Sequence, residues 1–325
     1  MAPSMPQVKG NPSKDSKIDI PKPESTIKKP RPLQYHLVTL HLFTKSDYKT
    51  VIFPQSVFAL ALVYSGSGVA ERNQHGPGQI ALRIPCMLAW IWLHLLVEDI
   101  ANQNLGSSVL EDEMNKPWRP IPSGRLTATE ARRLIRVVIV AALALSVLLG
   151  SFLPSTTLMT MIWLYNDLEG SSTGPLVRNL LNAVGLACFG WGAVCVLLAG
   201  ATGDGNMTRD WLLLSVAIVT TTVHIQDLPD KEGDKARKRR TVPLVYGEDW
   251  ARWSVAVVAS FWSLVCPIFW RVPLPYAAAP LGISSIMSAV ILLGKSQSSS
   301  EVGWKLWCLW VTVIFLLPLL SNSIT

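Results

Sequence analysis

Long apolar runs broken by short polar stretches dominate this chain from residue 51 onward. A helix needs about 20 mostly apolar residues to cross a bilayer. Runs near that length extend from Val51 to Ser65, Ile80 to Asn104, Leu134 to Phe152, Pro154 to Tyr165, Asn179 to Gly200, Trp211 to Ile225, Trp250 to Trp270, Val272 to Leu293 and Trp304 to Leu320. These nine runs predict an all-α integral membrane bundle. The first and fourth are short enough to be tilted, broken or enclosed by other helices, so eight spans also fit. The sixth reaches length if its polar end is helical.

Composition sharpens this picture by exclusion. Of 325 residues, 50% are hydrophobic and 16% charged, against about 25% charged in an ordinary soluble domain. That excludes a water-soluble globule, and so much apolar surface also excludes disorder. The 13 Trp suit two membrane interfaces. Cys86, Cys188, Cys195, Cys266 and Cys308 lie in apolar stretches without a close CxxC pair, so they read as small core residues and not as a zinc site or disulfide framework. Residues 1–34 hold seven Lys/Arg, three Asp/Glu and several prolines but no apolar run. They are expected to form a disordered basic tail ahead of a transmembrane domain over 35–325.

Charge also sets an expected orientation. On a nine-span scheme the even loops carry Lys116, Arg119, Arg125, Arg132, Arg133, Arg178, Lys231, Lys235, Arg237, Lys238, Arg239, Arg240 and Lys295, and the odd loops only Arg72, Arg209 and Arg271. Positive residues favour the cytosolic side, so the N-terminus and the even loops are expected there.

Two acidic clusters close even-sided spans and therefore share one bilayer surface. After the second span, Asn104, Ser108 and Asp112 have i, i+4, i+8 spacing, and they stand on one face if the helix continues. After the sixth, Asp227, Asp230 and Asp234 have i, i+3, i+7 spacing, with Pro229 straining a regular helix between them. Facing carboxylate rows repel unless cations separate them, and Mg²⁺ is the natural ion, because it binds one or two carboxylates together with substrate phosphate. Lys116 and Arg119 beside the first cluster can neutralise the remaining phosphate oxygens. The combination predicts a diphosphate site above an apolar bundle that takes a hydrocarbon tail. Two other readings stand beside it: solvated caps on membrane helices, and an ion pathway marked by intramembrane acids.

The stretch Asn115-Lys-Pro-Trp-Arg-Pro-Ile-Pro-Ser-Gly124 resembles the NKPxRPxPSG signature of the UbiA superfamily of intramembrane prenyltransferases, most closely its fungal secondary-metabolism branch. Asp227-Leu-Pro-Asp230-Lys-Glu-Gly-Asp234, followed by Thr241-Val-Pro243, is similar to that family's second DxxDxxxD motif. Tyr165-Asn166 and Arg178-Asn179 are weaker likenesses. The resemblance covers about residues 35–320 and implies nine helices around a central cavity, Mg²⁺-dependent ionisation of an isoprenoid diphosphate, and a site facing the cytosol. It assigns Asn104, Asp112, Asp227, Asp230 and Asp234 to the metal and Lys116, Arg119 and Asn104 to the diphosphate, with Asp112, Asp230 and Asp234 as catalytic residues. The first motif departs from the family's NDxxDxxxD: Leu105 and Ser108 stand where aspartates are usual. An NxxxSxxxD pattern beside an intact second motif resembles fungal members that act as terpene cyclases.

The leading expectation is thus a class I terpene cyclase acting on farnesyl diphosphate or a similar chain. The alternatives are prenyl transfer to an aromatic or quinone-precursor acceptor, and a non-catalytic membrane protein that has kept the fold. Aromatic faces from Trp90, Trp92, Tyr165, Phe189 or Trp191 are candidates for steadying an allylic cation, and His94 for a base. His224 lies one turn before Asp227 and is a candidate for orienting a metal ligand. A lipid bilayer and an isoprenoid diphosphate are the expected partners, with no nucleic acid, and the endoplasmic reticulum is the expected membrane.

Overall fold

The protein is described by a computed structural model that covers residues 31–65, 76–200 and 206–321. The greater part of the basic tail, and Arg72, lie outside the described residues. Among these residues every regular element is helical. The order is α1 (Leu33–Thr44), a π-turn (Tyr48–Ile52), α2 (Phe53–Val63), α3 (Pro77–Gln103), α4 (Gly106–Asn115), α5 (Ala128–Leu149), α6 (Phe152–Tyr165), α7 (Pro175–Leu197), α8 (Asn206–Thr222), a 3-10 turn (Val223–Asp227), α9 (Lys231–Ala236), α10 (Val242–Tyr246), α11 (Glu248–Phe269), α12 (Leu274–Leu293) and α13 (Gln297–Leu316), with a single helical turn at Gly170–Thr173 and a final 3-10 turn at Leu317–Leu320.

Each of the nine apolar runs falls on one of these helices. By length and composition, five helices among the described residues can cross a membrane: α3, α7, α11, α12, and α13 with its terminal turn. The protein is a multi-pass membrane protein. Helix α1, which begins inside the basic stretch, was not among the predicted runs. Tyr35 Oη donates to the Arg125 carbonyl at 2.6 Å, and Arg125 Nε donates to Thr39 Oγ1 at 2.7 Å. These bonds tie α1 to Arg125, the residue that follows the Asn115–Gly124 segment.

Local chemistry explains the breaks. Pro77 and Pro175 open α3 and α7, where a missing N–H costs nothing. Thr127 and Glu130 form a reciprocal capping box at the start of α5. Gly150 ends α5 with φ +73°, and a Cβ there would lie 2.5 Å from the Gly200 Cα, so both conformation and space require glycine.

Helix α7 is the centre of the bundle, packing against α2, α3, α6 and α8, while α13 closes the far side against α2 and α12. The core is continuous from Phe58 and Trp211 to Trp90, Phe189, Trp307 and Trp310. Cys188, Cys195, Cys266 and Cys308 are buried free thiols within it, and Cys86 is exposed on α3.

Candidate active site

Two helix ends and a turn bring the polar residues together. Helix α3 stops at Gln103, because Leu105 is extended at φ −77°, ψ 144°, and α4 then restarts at Gly106. Asn104 therefore does not share a helical face with Ser108 and Asp112, as a continuous helix would have required. Ser108 and Asp112 remain one turn apart on α4, both buried. The second cluster is broken as well. Asp227 ends a 3-10 turn, Pro229 cannot extend a helix, and Asp230 is the N-cap of α9, which carries Asp234. The i, i+3, i+7 row is not a single helix face.

The two clusters nevertheless meet, because α4 packs on α9. Asn115 Nδ2 donates to the Asp230 carbonyl at 3.2 Å, and Lys116 Nζ lies 3.6 Å from Asp230 Oδ2. A Cβ on Gly233 would stand 2.2 Å from Asn115 Nδ2. Glycine at 233 thus permits the contact through which Asn115 holds the two clusters together.

Basic side chains interleave with the acids. Asp227 Oδ1 accepts from Arg178 Nε and Nη2 at 3.1 and 3.0 Å, and Arg178 Nη1 donates to Tyr165 Oη at 2.8 Å. Arg239 Nη1 reaches Asp234 Oδ1 at 3.2 Å and Glu111 Oε1 at 2.8 Å, and Arg237 Nη1 reaches Glu111 Oε2 at 3.1 Å. Arg119 Nη1 binds Asp112 Oδ1 at 2.8 Å, while its Nη2 lies 3.1 Å from Ser46 Oγ, 3.6 Å from Asp47 and 3.9 Å from Asp99. The facing acidic rows inferred from spacing are therefore separated by guanidinium groups.

Burial and charge compete at each acid. Burial pushes the Asp234 carboxyl up to about 7 despite Arg178 and Arg239, and it raises Asp112 and Asp227 as well. At Glu111 burial acts upward too, but Arg239 and Arg237 outweigh it and the net shift is downward. Burial works against the charged form of Lys116, yet Asp230 prevails and its ammonium is held above the usual range.

These residues border a pocket of about 1010 Å³, part of it open to solvent. Its mouth is polar: Asp47, Glu98, Lys116, Arg119, Arg178, Asp230 and Arg239. Its depth is apolar and aromatic: Leu158, Ile162, Leu186, Phe189, Trp304 and Trp307. Along α7 the wall runs from Arg178 to Phe189, about 16 Å at the helical rise.

Of the sequence-predicted residues, Lys116, Arg119 and Asp230 line this pocket, whereas Asn104, Asp112, Asp227 and Asp234 are not among its lining residues. No group of three His, Cys, Asp or Glu side chains among the described residues converges as a metal cage. Even so, the donor chemistry suits Mg²⁺. Asn104 Oδ1, Ser108 Oγ, Asp112 Oδ2, Asp227 Oδ2 and Asp234 Oδ2 are buried oxygens without a hydrogen-bond partner. Such hard oxygens are what a magnesium ion shared with phosphate requires.

Sequence reasoning missed several lining residues. Glu98 and Asn102 lie one turn apart at the polar end of α3, a detectable i, i+4 pair. Asp47 sits in a polar break between apolar runs, and only the fold delivers it. Among the aromatic candidates, Tyr165 and Phe189 line the pocket and Trp90 does not; instead Trp304 and Trp307 do, stacked with centroids 5.0 Å apart. His94 is enclosed between the Trp90 carbonyl at 2.8 Å and Ser155 Oγ at 2.6 Å, away from the pocket. His224 Nε2 meets Ser254 Oγ at 2.9 Å and not an aspartate.

The chain is similar to known proteins in sequence and in fold. The chain is 34% identical over 249 residues to the fumagillin beta-trans-bergamotene synthase of Aspergillus fumigatus, covering 75% of this chain and 80% of that protein. It is 28% identical over 281 residues to the somaliensene A/B synthase of Streptomyces somaliensis, covering 84% and 89%. Its fold matches a UbiA homolog from Archaeoglobus fulgidus, solved with GPP and Mg²⁺, at a TM-score of 0.61 and 11% identity, over 86% of this chain and 98% of that one. The UbiA prenyltransferase family matches residues 59–310, and the chain belongs to it.

Proposed function

We propose that this protein is a membrane-bound terpene cyclase that ionises an isoprenoid diphosphate, with farnesyl diphosphate as the first candidate, and closes the resulting cation into a cyclic hydrocarbon. The observation that carries this reading is the polarity gradient of one pocket: a mouth ringed by Lys116, Arg119, Arg178 and Arg239, and a depth of aliphatic and aromatic side chains. A charged head and a hydrocarbon tail fit that gradient. The similarity to two terpene synthases supports it.

In this reading Lys116 and Arg119 bind diphosphate oxygens and stabilise the leaving group. Asn104, Asp112, Asp227, Asp230 and Asp234 would hold Mg²⁺, which when bound would neutralise diphosphate charge and favour its departure. Asn115 and Gly233 position the two clusters against each other. Leu158, Ile162, Leu186 and Phe189 exclude water from the hydrocarbon and fold it. Trp304 and Trp307 present π-faces to it, each worth roughly 0.5 to 2 kcal/mol toward a cation. The site faces the cytosol, and the membrane is the endoplasmic reticulum.

A second reading, prenyl transfer to an acceptor, is favoured by one observation. Asn166 Oδ1, Asn182 Nδ2 and Gln226 Nε2, all on residues that line the pocket, are buried without partners. A pure hydrocarbon leaves such amides unsatisfied, whereas a hydroxyl-bearing ring would engage them.

Microsomes containing the protein, incubated with Mg²⁺ and farnesyl diphosphate and no acceptor, should yield a cyclic hydrocarbon by gas chromatography–mass spectrometry, and chelation should abolish it. Silence with farnesyl and geranylgeranyl diphosphates, followed by a prenylated product once an aromatic acceptor is added, would establish the second reading.

A further inference from the structure

The two sides of the pocket mouth are not electrically equivalent. Around α7 and α9, Asp227, Asp234 and, reaching across from α4, Glu111 meet Arg178, Arg239 and Arg237, three acids for three guanidinium groups. On the α3–α4 side, Arg119 alone stands within 4.0 Å of Asp47, Asp99 and Asp112. Glu98, adjacent to Asp99, makes no ion pair among the described residues, and Lys116 is turned across the mouth to Asp230. Among the described residues, three of these four carboxylates meet one cation within 4.0 Å, and the charge of Lys116 reaches Asp47 and Glu98 only from farther off.

Buried acids in such excess either take up a proton or meet a counter-charge, and a cation brought in with the substrate supplies the second. The excess is sharpest at Asp99, which is 0% exposed with both carboxylate oxygens unpartnered. Its Oδ1 faces the same guanidinium nitrogen that touches Asp47. Asp47 and Glu98 line the pocket, and Asp99 and Asp112 are not among its lining residues. Asp47 is oriented by Ser46 Oγ, which donates to Oδ2 at 2.7 Å, and by Thr50 Oγ1, which donates to Oδ1 at 3.2 Å. Residues Tyr48–Ile52 form a π-turn, a distortion frequent at functional sites.

We infer that Asp47 and Glu98 are ligands for a divalent cation shared with the diphosphate, on the opposite side of the mouth from Asp227 and Asp234. Neither residue belongs to the aspartate motifs, and together they supply the carboxylates that Leu105 and Ser108 do not. Two carboxylates plus phosphate oxygens satisfy a magnesium ion, which is consistent with the lack of a three-acid cage among the described residues. The inference rests on the pocket being a prenyl-diphosphate site.

The test is binding of Mn²⁺, as a paramagnetic substitute for Mg²⁺, to detergent-purified full-length protein with and without inorganic pyrophosphate, alongside melting temperature. Wild type should bind Mn²⁺ more tightly with pyrophosphate and gain thermal stability from the pair. Glu98→Gln and Asp47→Asn should each weaken that Mn²⁺ binding about 10-fold or more and shrink the ligand-induced rise in melting temperature. Asp249→Asn, altering an exposed pair with Lys295, serves as the control. An unchanged ligand-induced rise in both variants, whatever their melting temperature without ligand, overturns the inference. If Asp234→Asn loses Mn²⁺ while Glu98→Gln and Asp47→Asn keep it, only this inference fails. If wild type binds no Mn²⁺ with pyrophosphate, the diphosphate reading of the pocket fails with it.

Discussion

On one side of the mouth the acids and guanidinium groups are equal in number: Arg178 grips one oxygen of Asp227, Arg239 reaches Asp234 and Glu111, and Arg237 reaches Glu111. On the other side Arg119 is outnumbered by the carboxylates around it. Both sides look alike in composition, a mixture of acids and bases at helix ends. They differ in partnership, and partnership decides what each carboxylate can still bind. On the balanced side each aspartate has one oxygen committed to a guanidinium and one unpartnered. On the surplus side Asp99 has both oxygens unpartnered, and Glu98 makes no ion pair within 4.0 Å among the described residues. A motif names residues, but only the pairing shows which of them retain capacity for a ligand.

The largest effect expected on this comparison is catalytic. Asp230→Asn and Asp234→Asn should each lower turnover about 100-fold or more while leaving membrane insertion intact. Near-normal rates in both, measured on microsomes by product formation, would remove the second cluster from the metal site.

The sharpest test of the charge difference is thermodynamic. Asp227→Asn strands Arg178 in a buried position and should cost about 3–5 kcal/mol, read as a fall in melting temperature without ligand. Asp99→Asn removes one of the surplus negative charges and should hold or raise the melting temperature under the same conditions. Equal losses in the two variants would abolish the distinction between the sides.

Next in size is the junction between the clusters. Gly233→Ala places a methyl group against the Asn115 amide and should destabilise by about 1–3 kcal/mol. Combining it with Asn115→Ala should recover stability but not activity, because the Asn115 bond to the Asp230 carbonyl is lost.

The smallest change expected follows Ser108→Asp. It restores the family-typical acid beside Asp112 on α4 and should shift the Mg²⁺ concentration for half-maximal turnover, or alter the product. If a titration moves neither, position 108 is remote from the metal.

Much of the fold was legible in the chain because lipid imposes a simple rule: long apolar stretches must be helical, so α3, α7, α11, α12 and α13 could be read off hydropathy alone. The motif-bearing loop was equally legible from Asn115 to Gly124. Helix α1 was missed because its residues follow a basic, proline-rich stretch, and its stability comes from Tyr35 and Thr39 bonding to Arg125 some 86 to 90 positions away.

What the sequence by itself determined is the set of chemical groups and the class of scaffold: acids and bases at helix ends above apolar spans, with the family's marks on them. What only the tertiary structure decided is which groups share a surface. A break at Leu105 removes Asn104 from the face of Ser108 and Asp112, Pro229 divides the second row, and the packing of α4 on α9 threads arginines between the acids. Packing of the π-turn on α3 and on α13 brings Asp47, Glu98 and Trp304 to one pocket from three distant segments. The physical reason is that hydropathy and turn chemistry act over a few residues, whereas the pairing of buried charges depends on distances across the bundle, set by contacts such as Gly233 against Asn115.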